Sequence, residues 1–172
     1  MARLVDVPIA VELQTTGVRA ETYSAGVRRT VIDLTGLTLP AIAGGANLAV
    51  GRRIFSFPAG AVKTLGATLK GVTLQQTEGN VDADTPDLGL GTTIASGAVA
   101  VLGGTAGFEN ILTGQTMNDC DGTGESVTVA TELLIQPADS HDVFLNAAAG
   151  WAADGDAAVI VGGTVIITWA AI

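Results

Sequence analysis

The chain has 172 residues, 48% apolar, 15% charged and 4% aromatic, with a formal net charge of −9. That length suits one domain, and the high apolar share excludes an intrinsically disordered chain. An acidic chain with no dense basic tract is repelled by nucleic acid, and no run of about 20 apolar residues is present to span a bilayer as a helix.

Residues 1–26 are read as an arm or edge strand, set apart from a main domain over 27–172. Ile9, Val11 and Leu13 alternate with Ala10, Glu12 and Gln14, the period-two pattern of a half-buried strand. Pro8 suits a strand start or an edge. Asp6 and Glu12 interrupt any apolar stretch after Arg3, so no secretory leader is expected and assembly in a host cytoplasm is. The β-branched run Thr30–Leu39 forms a second strand, interrupted at Gly36 and ended by Pro40 and Gly44-Gly45. Arg53–Phe57 reads as a short strand with Ile54 on one face and Phe55 and Phe57 on the other. Ala61–Gln76 is a longer strand or a strand pair, with Leu65, Ala67 and Leu69 on one side and Gly66 and Gly71 marking bulges.

Residues 77–93 are a loop punctuated by acids and glycines. Ile94–Leu102 permits either a helix of about two turns, limited by Gly97 and Gly103-Gly104, or a strand. A second acidic loop covers 117–126, and Val127, Val129, Thr131, Leu133 and Ile135 then share one parity in the clearest strand pattern of the chain. After Val143–Asn146 and a loop containing Trp151, Asp154 and Asp156, the chain ends in a long apolar strand. Val159, Val161, Val165, Ile167 and Trp169 hold one parity there, with Ile160, Ile166 and Ile172 on the other. Gly162-Gly163 allows a hairpin instead. Apolar residues on both parities imply cover on both sides, by the core and by a neighbour. Many short strands with Gly and Pro breaks predict an all-β, antiparallel sandwich, best matched by a jelly roll.

Charge is divided along the chain. All eight basic residues (Arg3, Arg19, Arg28, Arg29, Arg52, Arg53, Lys63, Lys70) fall in the first seventy positions, which carry a net +4, and the remainder carries −13. Either one face docks on an acidic scaffold, or the two halves interleave and the asymmetry never becomes a surface dipole.

Catalytic groups are few. Ser140-His141-Asp142 brings the three triad types together, but neighbours on an extended chain point to opposite sides, so a turn is expected. Cys120 lies between Asp119 and Asp121, which disfavour a thiolate, and lacks an orienting partner for a Cys–His pair with His141. The run from Asp119 to Glu125 has the alternating carboxylates of a calcium loop. With Gly122 at the turn, though, the first and last ligand positions fall on Met117 and Thr128. Asp82/Asp84 and Asp154/Asp156 sit beside glycines, as turn residues do, and Gly103–Gly107 lacks the lysine of a phosphate loop. No enzyme, metal or cofactor is expected.

The segments Asp87-Leu-Gly-Leu-Gly-Thr-Thr-Ile94, Phe108-Glu-Asn-Ile-Leu-Thr-Gly114, Asp142–Ala147, Gly150-Trp151 and Gly163–Trp169 resemble, in texture and order, small virion structural proteins of tailed bacteriophages. These are the capsid decoration or cement class. The resemblance spans roughly residues 30–172 and rests on no sharp motif. It implies a jelly-roll or related β-sandwich, a homotrimer, and a place on the virion exterior against the major capsid protein. No site residues carry over. The residues themselves suggest Val159, Val161, Val165, Ile167 and Trp169 as the oligomer interface and Arg28, Arg29, Arg52 and Arg53 as the docking set. The alternative is a receptor- or glycan-binding sandwich of a phage tail or fibre, which needs exposed loop aromatics, and Trp151 alone is a candidate.

Overall fold

The computed structural model describes residues 10–15, 18–25, 27–41, 48–76, 85–98, 101–116, 125–129, 132–148 and 158–172. They form β1 (Ala10–Thr15), β2 (Val18–Ala25), β3 (Val27–Asp33), β4 (Leu37–Leu39), β5 (Val50–Ser56), β6 (Val62–Gln76), β7 (Asp87–Gly91), β8 (Leu112–Thr116), β9 (Glu125–Val129), β10 (Leu133–Ile135), β11 (Asp142–Ala148) and β12 (Val159–Ala171). No α-helix occurs among the described residues.

Two antiparallel sheets make an all-β sandwich. The larger runs β1-β2-β3-β12-β6-β10, with β4 beside β12 and β9 beside β6; the smaller runs β5-β11-β7-β8. β3 and β4 form one interrupted ribbon along β12, and β9 and β10 another along β6. With those ribbons counted singly, the chain passes from β3–β4 to β5, back to β6, across to β7 and β8, back to β9–β10, across to β11 and finally to β12. The hairpin β1–β2 lengthens the large sheet beside β3.

The break between β3 and β4 is written locally. Asp33 Oδ1 accepts hydrogen bonds from the Thr35 amide at 3.0 Å and the Thr35 hydroxyl at 2.6 Å, and this side-chain bonding competes with the ladder. The Leu34 amide instead donates to the Gly163 carbonyl at 3.0 Å. Gly163 takes φ +92°, opposite a second bulge at Gly71, and a Cβ there would overlap the Gly71 carbonyl and the Val72 Cα. Gly162-Gly163 therefore kinks a continuous β12 and does not fold it into a hairpin.

One contiguous core lies between the sheets, and it includes Ile32, Leu34, Leu39, Ile54, Leu69, Leu74, Leu88, Leu90, Leu145, Ile167 and Trp169. Burying each such side chain contributes about 1.5–3 kcal/mol. Bulges correct the expected parities. A register shift opposite Val143/Phe144 lets Ile54 and Phe55 both turn inward, and Phe57 joins them. A shift at Gly66 puts Val62, Thr64, Ala67 and Leu69 in the core and leaves Leu65 half-buried outside that set. Val127–Ile135 is two strands, not one, and within Ile94–Leu102 residues 94–98 form neither helix nor strand, with a single 3-10 turn at Leu102–Gly104.

Candidate docking surface

The strand β12 lies centrally in the large sheet, so its two parities meet different surroundings. Val159, Val161, Val165, Ile167 and Trp169 face the interior, each no more than 1% exposed. The chain's own second sheet covers the parity proposed for an oligomer interface. Trp169 shows how closely: its ring lies 5.3 Å from Phe57 at 70°, and its Nε1–H donates to Thr30 Oγ1 at 2.9 Å. Thr30 in turn bonds Thr22 Oγ1 at 2.9 Å, so the buried polar atoms are paired. The other parity, Ile160, Thr164, Ile166 and Thr168, forms the outer face.

The four arginines of the expected docking set do not converge. Arg28 and Arg29 are neighbours in β3 and point to opposite sides. Arg28 lies half-buried with its guanidinium 4.9 Å from the Trp169 ring centre, a cation–π contact, while Arg29 is exposed on the outer face. On β5, Arg52 Nε donates to the Thr38 carbonyl at 3.0 Å, and Arg53 lies 3.5 Å from Asp142. Instead, Arg19 of β2, Arg29 of β3 and Lys63 and Lys70 of β6 share the outer face of the large sheet, each next to an inward-facing residue of its strand. Adjacent arginines draw the eye in a sequence; cations on separate strands are brought together only by the register.

On this face Arg19 stands opposite Asp33 in the ladder, and Lys63 Nζ is 2.6 Å from Glu132. The two Thr35 hydrogen bonds hold the Asp33 carboxyl below its ordinary pKa of 3.8, with the Arg19 charge adding to them. Arg29 and Lys70 are exposed with no ion pair among the described residues. Between them in the register lie Val31, Thr164 and Ile166, and a shallow groove of about 260 Å³ opens among Arg19, Val31, Asp33 and Thr164.

The acids are distributed differently. Leu39 and Gln76 both pair with Val159, and Asp87 pairs with Thr116 and Ala148, so these strand ends lie at one end of their sheets. The Arg52 bond to Thr38 brings the two sheets together at that end. Strands β6, β8 and β11 end there, and the sequence intervals 77–86, 117–124 and 149–158 that follow them hold seven acids and no lysine or arginine. Strands of the two halves do interleave, with β12 between β3 and β6. The candidate calcium run at Asp119 lies largely outside the described residues, as do Cys120, Asp82/Asp84, Asp154/Asp156 and Trp151.

Among the described residues the small sheet presents no comparable face, because residues 92–98 and 101–111 lie across its outside. Ala49, Ala95, Leu102, Phe108 and Ala148 form a second, smaller core there. Asn146, fully buried on β11, fastens this layer. Its amide donates to the carbonyls of Thr93 at 2.9 Å and Phe108 at 2.7 Å, and its Oδ1 accepts from the Ala95 amide at 2.8 Å. Gly91 lets the layer approach, since a Cβ there would overlap the Gly107 carbonyl. Sequence reasoning passed over Asn146, although a lone amide inside the apolar run Val143–Ala148 was the available signal.

A second groove, about 370 Å³, opens between this layer and β10, lined by Thr92, Thr93, Asn110, Leu134, Asp139 and Ser140 among others. No aromatic residue lines it among the described residues. Ser140-His141-Asp142 is a turn leading into β11. His141 Nε2 lies 3.2 Å from the Gln136 carbonyl, and Asp142 Oδ1 accepts from the Ser56 hydroxyl at 2.9 Å.

No family model and no curated protein matches the chain. Among solved structures, infectious bursal disease virus, Gx strain, aligns over 95% of this chain and 38% of its own at 13% identity and TM-score 0.40. The T13 viral particle of the same virus aligns over 95% and 36%, at 14% identity and TM-score 0.34. An arabinose-bound MgGH51 α-L-arabinofuranosidase aligns over 91% and 23%, at 9% identity and TM-score 0.38. The chain thus spans between about a quarter and two fifths of each protein it resembles, and superpositions this loose do not establish a common fold.

Proposed function

We propose that the chain is a structural virion protein of the capsid decoration (cement) class of tailed phages, without catalytic activity. It associates with itself and docks on the major capsid protein at the capsid exterior after assembly in the host cytoplasm. The observation that carries this reading is the outer face of the large sheet. On it Ile160 is 37% exposed beside Ile166 and Val31, bordered by Arg19, Arg29, Lys63 and Lys70. Exposed aliphatic groups edged by charge are the composition of a protein–protein contact.

The strand order supports a jelly roll. Four ribbons of the large sheet (β3–β4, β12, β6, β9–β10) face four of the small one, and the chain crosses between them as two interlocked Greek keys would. The tail or fibre reading is less well supported, since among the described residues the groove beside β10 lacks the aromatic platform that sugar recognition commonly uses.

The proposal is tested by adding purified protein to particles assembled without it. Saturable binding at a fixed multiple of the capsid lattice, with a higher particle melting temperature, is expected. Absence of binding, or binding without any gain in particle stability, overturns the cement role.

A further inference from the structure

We infer that the outer face of the large sheet packs against the same face of a second copy, about a two-fold axis running along β12 at Ile166. The inference rests on the self-association just proposed and states which surface carries it. Charge complementarity within one row of the sheet is the first observation. Thr164 of β12 pairs with Asp33 on one side and with Lys70 on the other. Rotation about an axis along the strand exchanges those sides and keeps the row, so Lys70 of each copy stands over Asp33 of the other. Both residues are exposed, and Lys70 has no ion pair among the described residues. The two Thr35 hydrogen bonds to Asp33 both use Oδ1. Sheets packed face to face lie about 10 Å apart, a gap that a lysine reaching toward an aspartate spans.

The apolar groups match under the same rotation. Val31, Ile166 and Thr68 form the next row, so Ile166 meets Ile166 of the second copy and Val31 meets Thr68. Val27, Leu134 and Ile172 are 45%, 49% and 73% exposed, and all three lie on this face at the end of β12 remote from Val159. Keeping the rows brings these ends together, and their apolar surface leaves water. An axis across the strands would instead turn that end onto Thr38, Thr73 and Gln75 of the other copy. Along the strand, Arg29 (beside Thr168) meets the position of Gly66, and Lys63 (beside Ala170) meets Val27, so neither is set against a cation. A contact that uses one surface twice closes on two copies, so the unit is a dimer.

Masses measured by light scattering at tens of micromolar test this for wild type, Lys70→Asp, Asp33→Lys and an equimolar mixture of the two variants, with circular dichroism to verify that each is folded. Wild type is expected to be dimeric. Each variant alone should associate at least about tenfold more weakly, because two exposed attractions become two repulsions. The mixture should recover the dimer, since the two changed residues then face each other at one pair and the two native residues at the other. A second readout does not depend on charge. Only a residue close to the two-fold axis meets its own counterpart, so Ile166→Cys with Cys120→Ser should be joined to itself by a bismaleimide of about 10 Å reach, matched to the sheet spacing. The exposed control Ser96→Cys with Cys120→Ser should stay unjoined. A monomeric or trimeric wild type, variants as associated as wild type, a mixture that stays dissociated, or no cross-link at position 166 would each overturn the inference. Particle binding by a monomeric wild type would leave the decoration reading standing without it, and a dimer that binds no particle would do the reverse.

Discussion

Replacing Asn146 with Ala removes a fully buried side chain that ties residues 92–98 and 101–111 to the small sheet. Three backbone groups lose this partner: the buried Phe108 carbonyl and Ala95 amide and the part-buried Thr93 carbonyl. A buried polar group left unsatisfied costs about 1–3 kcal/mol. The covering layer can part and admit water, so the low end applies, and the loss is about 3 kcal/mol. For a chain of this size that lowers the melting temperature by about 6–12 °C. Parting also exposes Leu102 and Phe108, so proteolysis within 92–111 should accelerate. Asn146→Asp sharpens the test. It keeps the acceptor for Ala95 but turns an oxygen toward the two carbonyls, which disfavours the anion and raises the folded-state pKa above the unfolded value of about 3.9. The folded variant then binds more protons than the unfolded chain, so its deficit should be small near pH 4 and should grow toward neutrality. Calorimetry of wild type, both variants and the exposed control Ser96→Ala supplies the numbers. A loss below 1 kcal/mol for Asn146→Ala, with unchanged proteolysis, would refute the role of this side chain.

Gly163→Ala should destabilise by several kcal/mol, measured by urea denaturation, because it combines a positive φ with overlap onto the Gly71 backbone. Val165→Asp or Ile167→Asp should give insoluble or unfolded chain, whereas Ile166→Asp, on the outer face, should fold normally by circular dichroism. Thr35→Ala should raise the Asp33 titration midpoint toward 3.8 as followed by NMR. Since the folded carboxyl titrates below its unfolded value, the small stabilisation it gives is present above that value and is lost as pH falls through the folded midpoint.

Strands built on β-branched runs bounded by Gly and Pro were legible in the sequence, but β7 (Asp87–Gly91) lies inside the span 77–93 expected to be a loop, and β8 has too few apolar residues to announce itself. Strand parity was less so. One inserted residue at Gly66 or beside Ile54 flips every later side chain, and nothing in Leu65-Gly66-Ala67 announces on which side of the bulge the switch falls. The interface assignment on β12 failed for a related reason. Both parities are apolar, and only the topology shows that Val165 and Ile167 face the second sheet while Ile166 faces outward. The cations followed the same logic: Arg28 and Arg29 are neighbours in sequence and strangers in space, whereas Arg29 and Lys70 share one face across β12. The covering layer over the small sheet was invisible, since Thr92–Gly107 carries no charge and no period.

The central claim is that this chain acts in bulk on a lattice. It is tested most directly by counting its copies in purified particles by quantitative mass spectrometry, with the major capsid protein as internal standard. Hundreds of copies in a fixed ratio to the capsid protein are predicted. A few dozen or fewer would place the chain in a tail or fibre, and none at all would contradict a virion role.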